Sequence, residues 1–179
     1  MRCYAVVDTN VIVSAVITKN PDSPPRQVFR AMLSGEIIPL YHPDILAEYE
    51  EVLSRKKFHL NPETIQTVLE AVRQFGVEVM PKPTGEILID MDDLVFYEVA
   101  MEKREDDAYL VTGNQKHYPV RNFIVTPCIL SIGNPQNCHQ NSLFLEREFL
   151  VFVRTRFLHS EVLSGASMHA ASDNFSRRT

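Results

Sequence analysis

The chain has 179 residues, 45% hydrophobic and 23% charged, a globular composition that excludes a wholly disordered protein and suffices for one buried core. Its formal net charge of −5 argues against a surface covered in positive charge for duplex DNA, but allows a nucleic-acid enzyme whose carboxylates hold metal ions. The three cysteines form no CxxC pair, which argues against a disulfide framework or a zinc knuckle.

The first half of the chain alternates short apolar runs with segments of helical period. The predicted elements are a strand over 3–7, a helix over 11–18 capped by Thr9 or Asn10, a helix over 26–33 ending near Gly35, a strand over 36–40, and a helix from 42 to about 57. The first strand is short and apolar throughout, which is typical of a central strand in a parallel sheet.

The second half continues the alternation. Its predicted elements are a helix over 61–75 ended by Gly76, a strand over 77–80, a helix from 92 to about 104, a strand over 109–112 and a strand over 123–125. Strands that alternate with helices predict a three-layer α/β/α fold, Rossmann-like, around a central parallel sheet of about five strands.

Two acidic candidates come from the first half. Parallel sheets bind ligands beyond the carboxyl ends of their strands, and Asp8 directly follows the first strand. Its position is equally typical of a helix N-cap. Glu48 and Glu50 lie at opposite edges of the apolar stripe of their helix and Glu51 faces solvent, so a solvated acidic face is the simpler interpretation. Periodicity does not select Glu48 over Glu50.

A third acid opens the helix near residue 92. Asp93 precedes Phe96, Tyr97 and Ala100 by three, four and seven residues, which predicts that it lies on the inward face of this helix. Asp92 is the better simple cap. Capping and the helix dipole explain one acid well, but two less well.

Polar residues follow the strand over 109–112. Thr112, Gly113 and Asn114 form a turn that can present hydroxyl and amide oxygens to a metal ion or its waters, although an ordinary turn would explain Asn114 alone. Lys116 and His117 come next and are the better candidates for contacting a substrate phosphate. The basic residues 55–57 are also candidates, although their place at the end of a helix is the simpler explanation.

Acids at three separate strand or helix ends have a shared chemical use. Mg²⁺ and Mn²⁺ prefer oxygen ligands, and such ions polarise a scissile phosphate and activate water. A carboxylate-rich, histidine-poor spacing disfavours zinc.

Four segments, taken in order, resemble the PIN-domain family, especially its bacterial toxins of toxin–antitoxin systems. They are Val-Val-Asp8-Thr-Asn-Val over 6–11, Ile-Leu-Ala-Glu48-Tyr with Val-Leu-Ser-Arg over 45–55, Asp93-Leu-Val-Phe-Tyr-Glu-Val-Ala over 93–100, and Tyr-Leu-Val-Thr-Gly-Asn114-Gln-Lys-His-Tyr-Pro over 109–119. The resemblance covers roughly residues 1–130, which we take as one PIN-like nuclease domain.

This resemblance implies a metal-dependent ribonuclease, usually directed to single-stranded RNA, with Mg²⁺ or Mn²⁺ as cofactor. It implies that the metal-binding acids are Asp8, Glu48 and Asp93, that Asn114 stands where many members carry a fourth aspartate, that Thr112 orients metal waters or a neighbouring acid, and that Asn10 supports the site. It also implies an antitoxin partner and a homodimer.

The C-terminal part departs from the family pattern. Residues 131–141 are rich in Gly, Pro, Asn and Gln and are predicted to form a linker, residues 142–158 a helix, and residues 161–179 a loose polar tail. No basic and apolar leader precedes the first strand, and the longest apolar stretch, residues 11–17, is too short to cross a bilayer. We therefore expect a cytoplasmic protein that does not associate with membranes.

Other functions make different demands on the sequence. A PIN-like module that binds RNA without cutting it is motivated by the uncharged Asn114 and by the atypical C-terminal part. A phosphohydrolase of the haloacid dehalogenase type requires a second aspartate two residues after the first, where this chain has Asn10. A receiver-like signalling domain requires an acidic pair after its first strand and a lysine after its last, and neither is evident.

Overall fold

The computed structural model describes residues 3–128, and the fold and site below refer to this part of the chain. The strands are β1 (Cys3–Val7), β2 (Ile37–Tyr41), β3 (Val77–Glu78), β4 (Tyr109–Val111) and β5 (Ile124–Val125). The helices are α1 (Thr9–Ile17), α2 (Pro24–Leu33), α3 (Pro43–Leu53), α4 (Pro62–Phe75) and α5 (Leu94–Glu102).

The five strands form one sheet in the order β3-β2-β1-β4-β5, and every neighbouring pair is parallel. With the five helices this is the predicted three-layer α/β/α fold, which is thereby confirmed. The central position of β1 is also as expected, since Ala5, Val6 and Val7 are almost completely buried.

The strand order fixes where a ligand can bind. From β1 the chain passes to β2 and β3 on one side of β1, and then to β4 and β5 on the other. Loops that leave the carboxyl ends of β1 and β4 therefore diverge over the same edge of the sheet, where they open a crevice. Asp8 follows β1 and Thr112 follows β4, so both residues lie at the crevice between these two diverging loops.

A hydrogen bond from a buried tyrosine connects helix α3 to the same edge of the sheet. Tyr49 is fully buried, and its hydroxyl donates a hydrogen bond to the backbone carbonyl of Val7, the last residue of β1. Because a buried carbonyl at a strand end needs a donor, this bond fixes α3 relative to the crevice. Glu48, the residue before Tyr49, is thereby held near the crevice.

A close backbone approach explains the glycine after α4. A Cβ on Gly76 would lie 2.4 Å from the Val72 carbonyl oxygen and 2.6 Å from that of Pro39. Any side chain would force α4 and β2 apart, so the chain can end the helix and enter β3 here only with glycine.

Several predicted elements are shorter in the structure than expected, most clearly one helix and one strand. The helix expected to reach residue 57 ends at Leu53, and a 3₁₀ turn over Lys56–Phe58 follows. The strand expected over 77–80 covers only Val77–Glu78, although the Val79 amide still donates to the Tyr41 carbonyl at 2.8 Å. Prolines 81 and 83 follow, and since proline has no N–H the ladder cannot extend through them.

The predicted C-terminal extension over 131–179, with its helix over 142–158, lies outside the described residues. Within residues 3–128, no helix is both long and apolar enough to cross a membrane.

Candidate metal centre

Asp8 caps helix α1 and also lies at the carboxyl edge of the sheet, beside the turn that follows β4. It is only 5% exposed, and one carboxylate oxygen, Oδ1, accepts the Asn10 amide at 3.1 Å and so caps α1. The other oxygen, Oδ2, accepts the Thr112 hydroxyl at 2.6 Å. The prediction that Thr9 or Asn10 caps this helix is wrong, because Asp8 already has the extended backbone and the free acceptor that a cap requires.

Tyr118 is a further donor to Asp8 that the sequence analysis did not identify. Its hydroxyl lies 3.3 Å from Asp8 Oδ2, and its ring is buried. Burial raises the pKa of Tyr118 far above its ordinary value, and the charges of Asp8 and Asp93 raise it further. The phenol therefore stays protonated and can only donate to the carboxylate. Its one sequence signal is an aromatic residue shortly after the turn at the end of β4.

Glu48 projects from α3 to the same crevice. The Thr9 hydroxyl donates to its Oε1 at 2.5 Å. Burial raises the pKa of Glu48; the bond from Thr9 counteracts this in part, while the charges of Asp8 and Asp93 raise the pKa further. Like charges perturb a carboxyl in this way only when they are close, so the three acids share one electrostatic environment.

The neighbouring glutamates of α3 point elsewhere. The Glu50 carboxylate accepts the Gln66 side-chain amide at 2.8 Å in an exposed contact, and Glu51 pairs with Arg55 at 3.0 Å. The ambiguity that helical spacing left between Glu48 and Glu50 is therefore resolved in the structure. Only Glu48 contacts the residue that follows Asp8.

Asp93 stands at the N-cap position of α5 but does not cap the helix. Its backbone is helical, with φ −74° and ψ −9°, and its side chain accepts no bond from the first turn. Oδ2 instead lies 2.9 Å from His117 Nδ1. Burial raises the pKa of Asp93, the hydrogen bond from His117 lowers it, and the charges of Asp8 and Asp90 raise it again. The expectation that Asp92 is the better cap is wrong.

Asn10 and Gly113 join α1 to the turn after β4. The Asn10 side chain accepts the Gly113 amide at 3.0 Å and donates to the Thr112 hydroxyl at 3.4 Å. A Cβ on Gly113 would lie 3.0 Å from Asn10 Oδ1, so the small residue permits this approach. Asn10 thus donates to the same Thr112 hydroxyl that donates to Asp8, and so helps to fix the orientation of that hydroxyl.

Asn114 and His117 contact each other. The Asn114 amide nitrogen lies 2.7 Å from His117 Nε2, and its backbone N–H donates to the Thr112 hydroxyl at 2.9 Å. Lys116, on the 3₁₀ turn Gln115–His117, is exposed. Of the two residues expected to meet a phosphate, Lys116 faces solvent beside the crevice, whereas His117 is engaged with Asp93 and Asn114.

A compact group of metal-ligand atoms includes one residue that the sequence analysis missed. Within residues 3–128, Asp90, Asp93 and His117 each offer one ligand atom, and these atoms lie within 4.8 Å of one another. Asp90 is exposed and lies in the segment before α5, where no periodicity marks its direction. Its only sequence signal is the spacing of three residues to Asp93.

The donor set fits a divalent cation. Four acids and one imidazole from separate parts of the chain face one edge of the sheet, and raised pKa values of Glu48 and Asp93 show that their ionised forms are destabilised there. A bound cation removes this destabilisation, and carboxylate oxygens are the ligands that Mg²⁺ and Mn²⁺ prefer.

Comparison with known proteins places these residues in a family. The family model described as PIN domain matches residues 4–116, which is more than half of the chain. No curated protein matches the chain significantly. PIN domains are generally nucleases and typically use divalent metals, in agreement with the acidic crevice. The chain therefore belongs to the PIN-domain family.

Proposed function

We propose that this protein is a metal-dependent endoribonuclease that hydrolyses phosphodiester bonds in single-stranded RNA. The observation that carries the proposal is that Asp8, Glu48 and Asp93, from the end of β1, from α3 and from the start of α5, lie close enough for their charges to interact. Burial raises the pKa of Glu48 and of Asp93, and the charge of Asp8 raises both further, a perturbation typical of functional sites.

In the proposed site, hydrogen-bond donors fix each acid, and further lone pairs of the carboxylate oxygens are available to a cation. Asp8 is fixed by Thr112 and Tyr118, and Glu48 by Thr9. A bound Mg²⁺ or Mn²⁺ would polarise the scissile phosphate and activate the attacking water. Fixed carboxylates keep their geometry as substrate enters, so little reorganisation is needed during the reaction.

The proposed substrate is held by its phosphates. Lys116 is exposed next to the crevice and supplies positive charge where the acids would otherwise repel RNA. A chain of net charge −5 has no general attraction for nucleic acid, so binding must depend on such local cations and on the bound metal. An open crevice with a single-strand substrate also requires no deformation of a duplex.

The proposed test is cleavage of a fluorescent single-stranded RNA of mixed sequence by the full chain. We expect cleavage with Mg²⁺ or Mn²⁺ that EDTA abolishes, and a loss of more than about 100-fold in Asp8→Asn, since even outer partners of metal ligands are worth 10–100-fold. Asp22→Asn, an exposed acid in the loop before α2, is the matched control and should cleave normally. Failure of the wild type on a broad RNA panel with either ion would refute the proposal.

The second candidate is a PIN-like module that binds RNA without cutting it. Asn114 favours this candidate, because its amide brings no negative charge and contacts His117 rather than adding a fourth carboxylate. The two functions differ in calorimetry. A module would retain RNA affinity while binding Mg²⁺ and Mn²⁺ only at millimolar concentrations or not at all, whereas the nuclease requires tighter metal binding.

We further propose that the protein is the cytoplasmic toxin of a toxin–antitoxin pair, that it is a homodimer, and that an antitoxin protein silences it. The resemblance of its four segments to bacterial toxins motivates this assignment. Ile87, Ile89 and Met91, which are 88%, 81% and 53% exposed, lie on either side of Asp90 in the sequence and offer apolar surface that a protein partner could bury.

Growth of bacteria that express the chain from an inducible promoter tests the toxin assignment. We expect induction to stop growth with the wild type and not with Asp8→Asn at an equal protein level. Undisturbed growth with soluble wild-type protein that cleaves RNA in vitro would remove the toxin role and leave the nuclease.

A further inference from the structure

We propose that Asp90, Asp93 and His117 form a cation position with mixed nitrogen and oxygen ligands, which binds Mn²⁺ or a later first-row transition ion in preference to Mg²⁺. The inference rests on the proposed function and deepens it, because Asp93 is common to this position and to the group of Asp8 and Glu48. It adds two ligands, Asp90 and His117, to the acids that the family resemblance implies.

The separations agree with one octahedral ion. Metal–oxygen bonds of about 2.1 Å place adjacent ligands about 3.0 Å apart and opposite ligands about 4.2 Å apart. His117 Nδ1 and Asp93 Oδ2 are 2.9 Å apart, and all three ligand atoms lie within 4.8 Å of one another. Small side-chain movements would complete the coordination, and exposed Asp90 has the freedom to make them.

A second contact of the imidazole points to the same role. A histidine that binds a metal through one ring nitrogen almost always donates its second N–H to a neighbouring group. The Asn114 side-chain nitrogen lies 2.7 Å from His117 Nε2 and 3.1 Å from Nδ1. Rotation of that amide by half a turn presents its carbonyl to Nε2–H, because both ends of an amide can hydrogen-bond. Asn114 then orients the ligand as a positioning residue.

Coordination through Nδ1 uses the lone pair of that nitrogen, so the metal-bound imidazole carries its proton on Nε2. In that state the ion lies between Nδ1 and Asp93 Oδ2, the two atoms that contact each other directly at 2.9 Å without it.

The nitrogen ligand decides the choice of ion. Imidazole binds late first-row ions well, whereas Mg²⁺ favours carboxylate, carbonyl and water oxygens. Asp93 and Asp90 still supply the oxygens that Mn²⁺ accepts. Replacement of His117 should therefore weaken Mn²⁺ binding much more than Mg²⁺ binding, which a purely structural role for this side chain would not do.

Pulsed electron paramagnetic resonance of Mn²⁺ bound to the untagged full chain tests the ligand directly. We expect nitrogen coupling in the wild type, its loss in His117→Gln, and its retention in the control His59→Gln, an exposed histidine after α3. Bound Mn²⁺ without nitrogen coupling in the wild type, or coupling that persists in His117→Gln, would overturn the proposal.

Calorimetry supplies a second readout. The wild type should bind Mn²⁺ at least about 10-fold more tightly than Mg²⁺, and His117→Gln should reduce this ratio to below about threefold. Asp90→Asn, a change in an exposed side chain, should weaken Mn²⁺ binding about 10-fold while nitrogen coupling persists at saturation. Unchanged Mn²⁺ affinity in either variant would overturn the proposal, with circular dichroism verifying that both are folded.

The two proposals can fail separately. Metal-dependent RNA cleavage by a protein whose Mn²⁺ shows no nitrogen coupling would remove this cation position and leave the ribonuclease. Nitrogen-coupled Mn²⁺ that depends on His117, in a protein that cleaves no RNA, would support the position and remove the ribonuclease.

Discussion

Asp8 accepts hydrogen bonds from three residues that are distant in the sequence or belong to different elements. The Asn10 amide binds one oxygen, while the hydroxyls of Thr112 and Tyr118 bind the other at 2.6 and 3.3 Å. Because buried polar atoms need hydrogen-bond partners, these donors satisfy the Asp8 carboxylate and fix its direction.

Tyr118→Phe isolates one of these donors. The ring still fills its buried space, so the fold is retained, but Asp8 loses a hydroxyl that orients it. We expect the affinity for Mn²⁺ to fall about 10-fold and RNA cleavage to fall with it, as for other outer partners of metal ligands. Tyr109→Phe, at the opposite end of β4, is the control. Calorimetry makes the comparison, and equal affinities in both variants would exclude a positioning role for Tyr118.

Glu48 gives a prediction for pH. Since burial raises its pKa above the ordinary 4.5, the folded metal-free protein binds protons at Glu48 more readily than the unfolded chain. The ionised side chain thus lowers the free energy of unfolding at neutral pH. Glu48→Gln, which can still accept from Thr9, should raise the metal-free midpoint of thermal unfolding at pH 7, and this gain should disappear as the pH falls below 4.5.

The same thermal unfolding experiment with Mn²⁺ present should give the opposite result. Mn²⁺ binds only the folded state, so it should stabilise the wild type substantially and Glu48→Gln little. A variant that is less stable than the wild type at pH 7, or that gains as much from Mn²⁺, would contradict the role assigned to Glu48.

Single residues were predictable where position alone determines direction. Asp8 directly follows a buried strand, and the edge of a parallel sheet is the one place that such a residue can reach. Glu48 and Glu50 lie at opposite edges of one stripe, so their distinction needed the contacts with Thr9 and Gln66. Asp90 lies in an irregular segment before α5, where no helical or strand period predicts which way a side chain points.

At the scale of elements, helices α4 and α5 differ in what the side chain at the N-cap position contacts. Asp93 holds the N-cap position without capping, whereas Asn61 accepts the Thr64 amide at 2.8 Å and caps α4. Because the Asp93 carboxylate accepts no hydrogen bond from the first turn of α5, it is available to contact His117.

A pair of alanine variants tests this distinction. Asn61→Ala should lower the free energy of unfolding by about 1 kcal/mol, the usual value of a lost cap. Asp93→Ala should not lower it in metal-free buffer, because the burial and the neighbouring acidic charges that raise the pKa of Asp93 no longer destabilise an ionised side chain, and no cap is lost. Urea denaturation measures both values. An equal loss in the two variants would show that Asp93 is a structural cap.

The order and type of the elements followed from the sequence because hydrophobic period differs between strand and helix. Their ends did not, since short local contacts decide them. Helix α3 ends at Leu53, and the Ser54 N–H donates to the backbone carbonyls of Glu50 and Val52. Strand β3 is short because prolines follow it, and α1 begins earlier than expected because Asp8 takes the cap.

For the whole molecule, the acidic balance makes RNA binding a local property. A net charge of −5 repels a polyanion, so Lys116 beside the crevice should contribute out of proportion to its number. Lys116 could be predicted as a phosphate contact from its position after the turn at the end of β4. The sequence did not distinguish its role from that of His117.

Lys116→Gln should therefore raise the KM for RNA several-fold with little change in kcat, and should lower the slope of log affinity against log salt by about 0.7, the value for one phosphate contact on a single strand. Lys19→Gln, in the exposed loop after α1, should change neither quantity. Steady-state kinetics at several salt concentrations make the measurement. An effect of Lys19→Gln equal to that of Lys116→Gln would mean that overall charge, and not this side chain, governs binding.

Calorimetric titration of the metal-free full chain with Mn²⁺ tests most directly whether the acids meet to hold a cation. We predict saturable binding by the wild type and by Asp22→Asn, and binding more than about 100-fold weaker in Asp8→Asn, in which an uncharged NH₂ group that cannot accept a hydrogen bond replaces one carboxylate oxygen. Equal Mn²⁺ affinity in the wild type and in Asp8→Asn would contradict the site.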